Sequence, residues 1–347
     1  MNSHRTKLQS RRPSLQDVAN MAGVSAAAVS YVVNGRMSEV SAETGERIKT
    51  AIAALNYQPQ RRGLSLRLSR EFAVGFVILD ATPSFLADPF TTNTATGLCN
   101  AFVEPGYGVT LTGCRTLDDL RALRNRPVGV DAYVVMTSGP PQMRAEAYRL
   151  LAGAQLPLVV IQEPAPSDID DACAVMQDDF GGAQMLTKHV VDRGAKRLMW
   201  IGPTRDWPAV ERREAGLRSA LPLDAQLQHV ACNEEDFVAT TDAIAAALDT
   251  NPLPQAILGA NDQIAIAALK VLARNNVSVP DQIQVTGYND FAFRNYSTPL
   301  LTTVTSSAYQ LGQRAAQMIL SRLEEGQFQE RKVELSVKLN VGDTTLT

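Results

Sequence analysis

The sequence predicts a small all-α unit followed by a large α/β body. Three observations point there. The stretch PSLQDVANMAGVSAAAVSYVVNG, from Pro13 to Gly35, is spaced as two short helices around a glycine turn. From Phe72 onward, short branched-rich apolar runs alternate with helical patterns, as parallel sheets covered by helices require. The charge is also unevenly placed. The formal net charge is −3, but residues 1–70 carry +7 and the remainder −10. A basic head on an acidic body suits a protein that presents one end to phosphates.

Residues 1–12 are polar and basic, without the apolar run of a signal peptide, and are expected to form a disordered basic arm. Ser14 is a helix N-cap with Asp17 three residues on, where a carboxylate favours a helix start. Leu15, Val18, Ala19 and Ala22 form one apolar stripe. Gly23 can adopt the left-handed conformation that ends the helix. Ser25 caps a second helix, with Val24 and Val29 at the two positions of a hydrophobic staple.

At about 100° per residue, Ala28, Val29, Val32 and Val33 fall on one side of that second helix. Ala26, Ala27, Ser30, Tyr31 and Asn34 fall on the other. Small residues at the N-terminal end and hydrogen-bonding groups beyond them suit a helix lying in a DNA major groove. A helical hairpin on an enzyme surface would show the same periodicity, but would not explain why the positive charge coincides with it. Ser41 opens a third helix with Ile48, Ala51, Ile52 and Leu55 at helical spacing, ending near Asn56 and Tyr57. The basic stretch QRRGLSLRLSR follows, with Arg61, Arg62 and Leu66.

The motifs AGVS, Val29-Ser30, VVNG, VSAET and LNYQP resemble the DNA-binding headpiece of the lactose-repressor/galactose-repressor family, almost without gaps from Ser14 to Arg67. The resemblance implies a headpiece over residues 13–59 and a hinge helix or linker over 60–70, with Leu66 at the position of a leucine wedged into the minor groove. Gly63 stands where the family usually has alanine, and glycine costs a helix roughly 1 kcal/mol relative to alanine. The implied DNA contacts are Ser25, Ala26, Ala27, Ser30, Tyr31, Asn34, Arg61, Arg62 and Leu66, with Ser30 on phosphate rather than base. Tyr31 occupies a position where the family commonly has arginine.

In the body, AVGFVIL, GVTLTG, AYVVM, PLVVIQ, RLMWIG, QAILGA and IQVTGY read as strands. Helical patterns begin near Leu117, Phe180, Pro208, Asp236, Asp262 and Tyr309. The resemblance continues through VDAYVVM, RGAKRLMWIG, ANDQIAIAAL and VPDQIQVTGYND. It implies a two-lobed type I periplasmic-binding-protein-like fold over 71–347, with three crossing strands and a ligand in the cleft. Lobe 1 would comprise about 71–174 and 306–335, and lobe 2 about 175–305 and 336–347.

Open α/β sheets bind ligands beyond the carboxyl ends of their strands. Asp80 ends the first body strand and Phe90 lies in the loop after it, as pocket wall or as core packing. Gln162 ends PLVVI, Asn261 ends QAILGA and Asn289 ends IQVTGY. Arg213 follows RLMWIG at the position of the family's effector-binding arginine. Asp262 and Asp290 read as caps of the segments they precede. Trp207 could stack on a ligand or pack structurally. The family often has aspartates at the positions of Gln162 and Asn289, so amides there predict a less negative cleft.

Together these features predict a sequence-specific transcription regulator acting as a repressor. It would be a cytoplasmic homodimer that binds double-stranded operator DNA and responds to a sugar-like effector. The alternative is a bifunctional sugar-processing enzyme with a DNA-binding head, but no phosphate loop, nucleophile elbow or His-Glu metal motif is present. The four cysteines, Cys99, Cys114, Cys173 and Cys232, have no paired spacing. No metal, cofactor or membrane span is expected.

Overall fold

The computed structural model describes residues 13–33, 35–57, 70–125, 129–249 and 252–347. The chain divides into two units, Met1–Glu71 and Phe72–Thr347. Asn34, Arg61, Arg62, Leu66 and the arm over 1–12 lie outside the described residues.

The first unit holds α1 (Leu15–Ala22), α2 (Ala26–Val33) and α3 (Ala42–Ala54). A reciprocal cap starts α1: the Asp17 N–H donates to Ser14 Oγ at 3.2 Å, and the Ser14 N–H donates to Asp17 Oδ2 at 2.7 Å. Gly23 ends the helix at φ 66°, where a side chain would be strained. The Arg47 guanidinium from α3 donates to the Ala22 carbonyl, satisfying a helix-end acceptor with a cation. Val18, Ala19, Ala22, Val29, Ile48, Ala51 and Tyr57 close the core, with Val24 packed against it. Burying one such valine or isoleucine fully contributes about 1.5–3 kcal/mol, so a handful of these side chains holds a three-helix unit this small.

The second unit contains two parallel sheets. The first runs in the order β11 (Lys332–Leu335), β5 (Ala172–Gln177), β4 (Leu158–Ile161), β3 (Ala132–Thr137), β1 (Ala73–Leu79), β2 (Gly108–Cys114). Alternation along β1 divides its side chains between two cores. Val74, Phe76 and Ile78 face α4 (Pro89–Val103) and α11 (Ala308–Glu325). Val77 and Leu79 face α5 (Leu117–Asn125) and α6 (Pro141–Ala152).

The second sheet runs β7 (Gln226–Cys232), β6 (Arg197–Pro203), β8 (Ala256–Gly259), β9 (Gln284–Thr286). It packs with α7 (Asp179–Val191), α8 (Pro208–Ser219), α9 (Phe237–Leu248) and α10 (Asp262–Arg274) around a core that includes Trp200, Leu217, Ile244 and Leu272. An antiparallel pair, β10 (Thr303–Thr305) and β12 (Lys338–Asn340), completes this half.

All seven strands read from the sequence are present, and the six helices begin where expected or one residue away. Among the described residues of this unit, two helices and five strands were not legible. The segment after Asp80, expected as a loop around Phe90, contains α4. Asp88 caps it, accepting from the Phe90 and Thr91 N–H groups, and Pro89 occupies its first turn. A run of threonines and one asparagine, all middling to poor helix formers, conceals it. Strand β7, QLQHVAC, is an edge strand with a polar face. The chain passes between the halves after Gln177, Thr305 and Leu335; β5 stays in the first sheet to Gln177, past the expected boundary at 174.

Helices cross closely at glycines in each half. A Cβ on Gly97 of α4 would lie 2.0 Å from the Tyr309 carbonyl oxygen of α11, and one on Gly312 would lie 2.1 Å from that of Thr94. A Cβ on Gly216 of α8 would lie 2.1 Å from the Phe180 carbonyl oxygen of α7.

Candidate functional site

In the first unit, one side of α2 is exposed. Ala27 and Ser25 are exposed and Tyr31 is 37% exposed. Ser30 is half-buried. The Ser25 hydroxyl accepts from the Ala28 N–H at 3.2 Å, so it caps α2. Ala26 differs from expectation: it is half-buried and packs against the core, because the first turn of α2 leans on its neighbours. The exposed side of α2 is therefore narrower than expected, centred on Ala27 and Tyr31.

In the second unit, Asp80, Phe90, Gln162, Arg213, Asn261 and Asn289 all line one cavity of about 490 Å³. Small-molecule sites typically span ~300–1,000 Å³. Both halves contribute to it. Asp80 and Gln162 come from the ends of β1 and β4, and Phe90 from the first turn of α4. Phe90 serves both roles considered for it: it is 5% exposed, packs in the first-sheet core and forms cavity wall.

Arg213, 3% exposed, projects from α8. Nε donates to Asp179 Oδ1 at 2.8 Å, one terminal nitrogen to the Ala260 carbonyl at 2.7 Å, and the other to Asn289 Oδ1 at 3.1 Å. Its guanidinium carbon also lies 3.7 Å from the centre of the Tyr288 ring. Arg213 is thus both a cavity residue and the partner of a fully buried carboxylate. Burial raises the pKa of Asp179, while Arg213 and Gln177 oppose the rise.

Gln162 and Asn289 occupy left-handed backbone positions, φ 76° and 114°. Such conformations in non-glycine residues are strained and concentrate at functional sites. Gln162 is 4% exposed, and its Oε1 has no hydrogen-bond partner. Asn261 is largely committed to the protein: Oδ1 caps α10 through the Ile264 N–H at 2.9 Å, and Nδ2 donates to Glu234 Oε2 at 2.5 Å.

Two expectations need correction. Asn261, not Asp262, caps α10. Asp262 is buried, accepts from Thr303 Oγ1 at 2.6 Å, and has its pKa pushed up to about 6 by burial. The cleft also carries carboxylates beyond the one read from a strand end. Besides Asp80, its lining includes Asp88, Glu234 and Glu235. The last two follow β7 and were hidden with it; Asp88 was hidden with α4. Asp290 does not cap the following short helix either, whose N-cap is Phe291 with no side-chain cap; it pairs with Arg294 at 3.2 Å and also accepts from Thr305 and Asn340.

Arg205 spans the cleft. It donates to Asp80 at 3.0 Å and to Thr82 Oγ1 at 2.6 Å, and pairs with Glu235 at 2.8 Å. Trp207 lines the same cavity; its indole N–H sits beside Glu234, close enough to lower that carboxyl's pKa but outside full hydrogen-bond geometry. A second link between the halves, away from the cavity, is the two-pronged pairing of Arg144 with Glu211 at 2.8 and 3.0 Å. Among the described residues, no group of three or more His, Cys, Asp or Glu side chains could hold a metal, and no helix is long and apolar enough to cross a membrane.

Comparison with known proteins supplies the family. The model for the lacI family of bacterial regulatory proteins matches residues 14–60. The model for the periplasmic binding protein-like domain matches residues 187–345. The chain belongs to the lacI family.

Lacking any need for insertions of domain size, this lacI-family chain is covered almost end to end by its relatives. It is 28% identical over 333 residues to the ribose operon repressor of Escherichia coli strain K12, spanning 93% of this chain and 96% of the relative. Among solved structures, the transcriptional regulator CelR–cellobiose complex is 25% identical with a TM-score of 0.69, covering 96% of this chain and 100% of that one. The lac repressor dimer bound to operator and the anti-inducer ONPF shares the fold, with 22% identity and a TM-score of 0.82, covering 97% and 100%.

Proposed function

We propose that the protein is a transcription repressor that binds operator DNA as a homodimer and releases or engages it in response to a sugar-like effector held in the 490 Å³ cavity. The observation that carries this reading is the convergence of strand-end residues from both halves on one polar cavity, in a chain that also bears a helix-turn-helix. The ribose operon repressor and the CelR–cellobiose complex support it, since their names pair a regulator with a sugar. Two-fold symmetry in the protein requires a near-palindromic operator. The cavity's role is binding rather than catalysis: Arg205 engages Asp80 and Glu235, and Asn261 engages Glu234. A cytoplasmic location follows from that role.

A ligand controls such a protein only if it binds two states with different affinity. Asp80 and Thr82 on one half, with Arg205 and Glu235 on the other, form contacts that depend on cleft closure. Selecting operator sequences from a random duplex pool, then titrating the selected duplex with sugars present, tests the proposal. Failure to enrich any paired half-site would refute it.

One residue bears directly on the half-site. Tyr31 presents a single hydroxyl, whereas arginine can make a two-pronged contact to guanine worth about 1–3 kcal/mol of discrimination. Tyr31→Arg is therefore expected to move one position of the selected half-site toward guanine. An unchanged consensus would remove Tyr31 from the reading face.

A further inference from the structure

Of the four carboxylates lining the cavity, two are ion-paired within the protein. Asp80 and Glu235 share Arg205. The other guanidinium of the lining, Arg213, is paired to Asp179 beneath it. Asp88 and Glu234 remain, and among the described residues neither forms an ion pair. Asp88 accepts from two backbone N–H groups and the Thr91 hydroxyl, at 2.9–3.2 Å. Glu234 accepts from Asn261. An asparagine at 88 would keep one of the two backbone contacts, and a glutamine at 234 could accept from Asn261, so neither carboxylate's negative charge is matched by a cation of the protein in direct contact.

A second observation is independent of charge. Gln162 is 96% buried by its 4% exposure, lines the same cavity, and leaves Oε1 without a donor. A buried acceptor of this kind costs stability until a donor arrives. The cavity thus holds unspent acceptors, while its two cations are already paired.

We infer that the cavity selects a ligand carrying a protonated amine, an amino sugar or similar aminopolyol, with the ammonium held by Asp88 and Glu234 and a neighbouring hydroxyl or N–H given to Gln162 Oε1. The inference rests on the reading of this cavity as the effector site. A phosphate or carboxylate on the ligand would meet uncompensated like charge and is disfavoured. The titration of the two groups agrees with their placement. Burial raises both and the Asp88 charge raises Glu234 further, while the charge of Arg213 partly opposes the rise at Asp88 and that of Arg205 the rise at Glu234; a cation between the two carboxylates relieves their repulsion.

The test is calorimetry on the full chain with nine probes: the 2-amino, unmodified and 6-phosphate forms of glucose, galactose and mannose. At least one amino form is expected to bind about tenfold or more tightly than its unmodified parent, the gain from a charge-assisted contact. Asp88→Asn keeps a helix cap, and Glu234→Gln keeps an acceptor for Asn261. Each is expected to lower the ratio of amino-form to parent affinity about tenfold. An unmodified or phosphorylated sugar binding as tightly as its amino form overturns the inference and leaves the sugar-regulator reading intact. A preference that survives both substitutions also overturns it. Binding by none of the nine overturns it too, and selection of an operator by the same preparation then keeps the DNA-binding reading separate.

Discussion

Arg213→Ala is expected to destabilise the second unit by about 3–5 kcal/mol, the cost of leaving one member of a buried ion pair behind. Asp179 is fully buried and Arg213 is the cation that faces it. The Ala260 carbonyl and Asn289 Oδ1 lose donors as well. Without the guanidinium, the pKa of Asp179 in the folded state rises further above its unfolded value. The sign follows from proton binding: the folded form then holds the extra proton, so stability is retained at low pH and falls as pH rises through the folded pKa. The penalty should be largest at neutral pH and smallest in acid. Denaturant unfolding across that range checks it, and adding Asp179→Asn should recover part of the loss. Equal stability of parent and Arg213→Ala at neutral pH would contradict the buried pairing. The effector response of this variant is therefore informative only where the unit remains folded.

Gly97→Ala is expected to cost the same unit about 2 kcal/mol or more. Two effects compete. Alanine gains up to ~1 kcal/mol over glycine in a helix interior. The added Cβ, however, would stand 2.0 Å from the Tyr309 carbonyl oxygen. That atom is backbone within α11 and cannot rotate away. Parting the helices would also disturb the packing of Leu98, Phe102 and Leu311, and overpacking of this kind typically costs about 1–3 kcal/mol, occasionally more. Gly45→Ala in α3 supplies the contrast. Its Cβ would meet only the terminal carbon of Met37, which is 38% exposed and able to swing aside. There the helix propensity wins, and the first unit should be unchanged or slightly more stable. Thermal unfolding of both variants decides whether contact, rather than the glycine itself, sets the sign.

How much of this was legible in the sequence depended on the range of the interactions involved. The first unit was readable almost throughout because its signals are local: a Ser-Asp cap, a glycine at positive φ, a valine staple. Ala26 escaped because helical angle alone does not say how closely a neighbouring helix leans. The cavity was readable where a hydrophobic strand announced its own end, as with Asp80, Gln162, Asn261 and Asn289. It was hidden where the strand or helix was itself hidden. Asp88 caps a helix disguised by threonines, and Glu234 follows a polar edge strand. Arg205 is 125 residues from Asp80 in the chain, and no spacing rule joins them. These unread carboxylates add negative charge to a cleft in which Gln162 and Asn289 are neutral.

The central claim is that a ligand in the cavity controls the headpiece's hold on DNA. It is tested most directly by fluorescence anisotropy on the selected operator duplex, with and without a saturating concentration of a ligand that calorimetry shows to bind the full chain. The account predicts that the ligand changes operator affinity at least about tenfold, a coupling within the usual range of ~1–3 kcal/mol. It also predicts that Glu234→Gln shifts the ligand concentration at which this change occurs. A ligand that saturates the chain while operator affinity stays at its ligand-free value would contradict it.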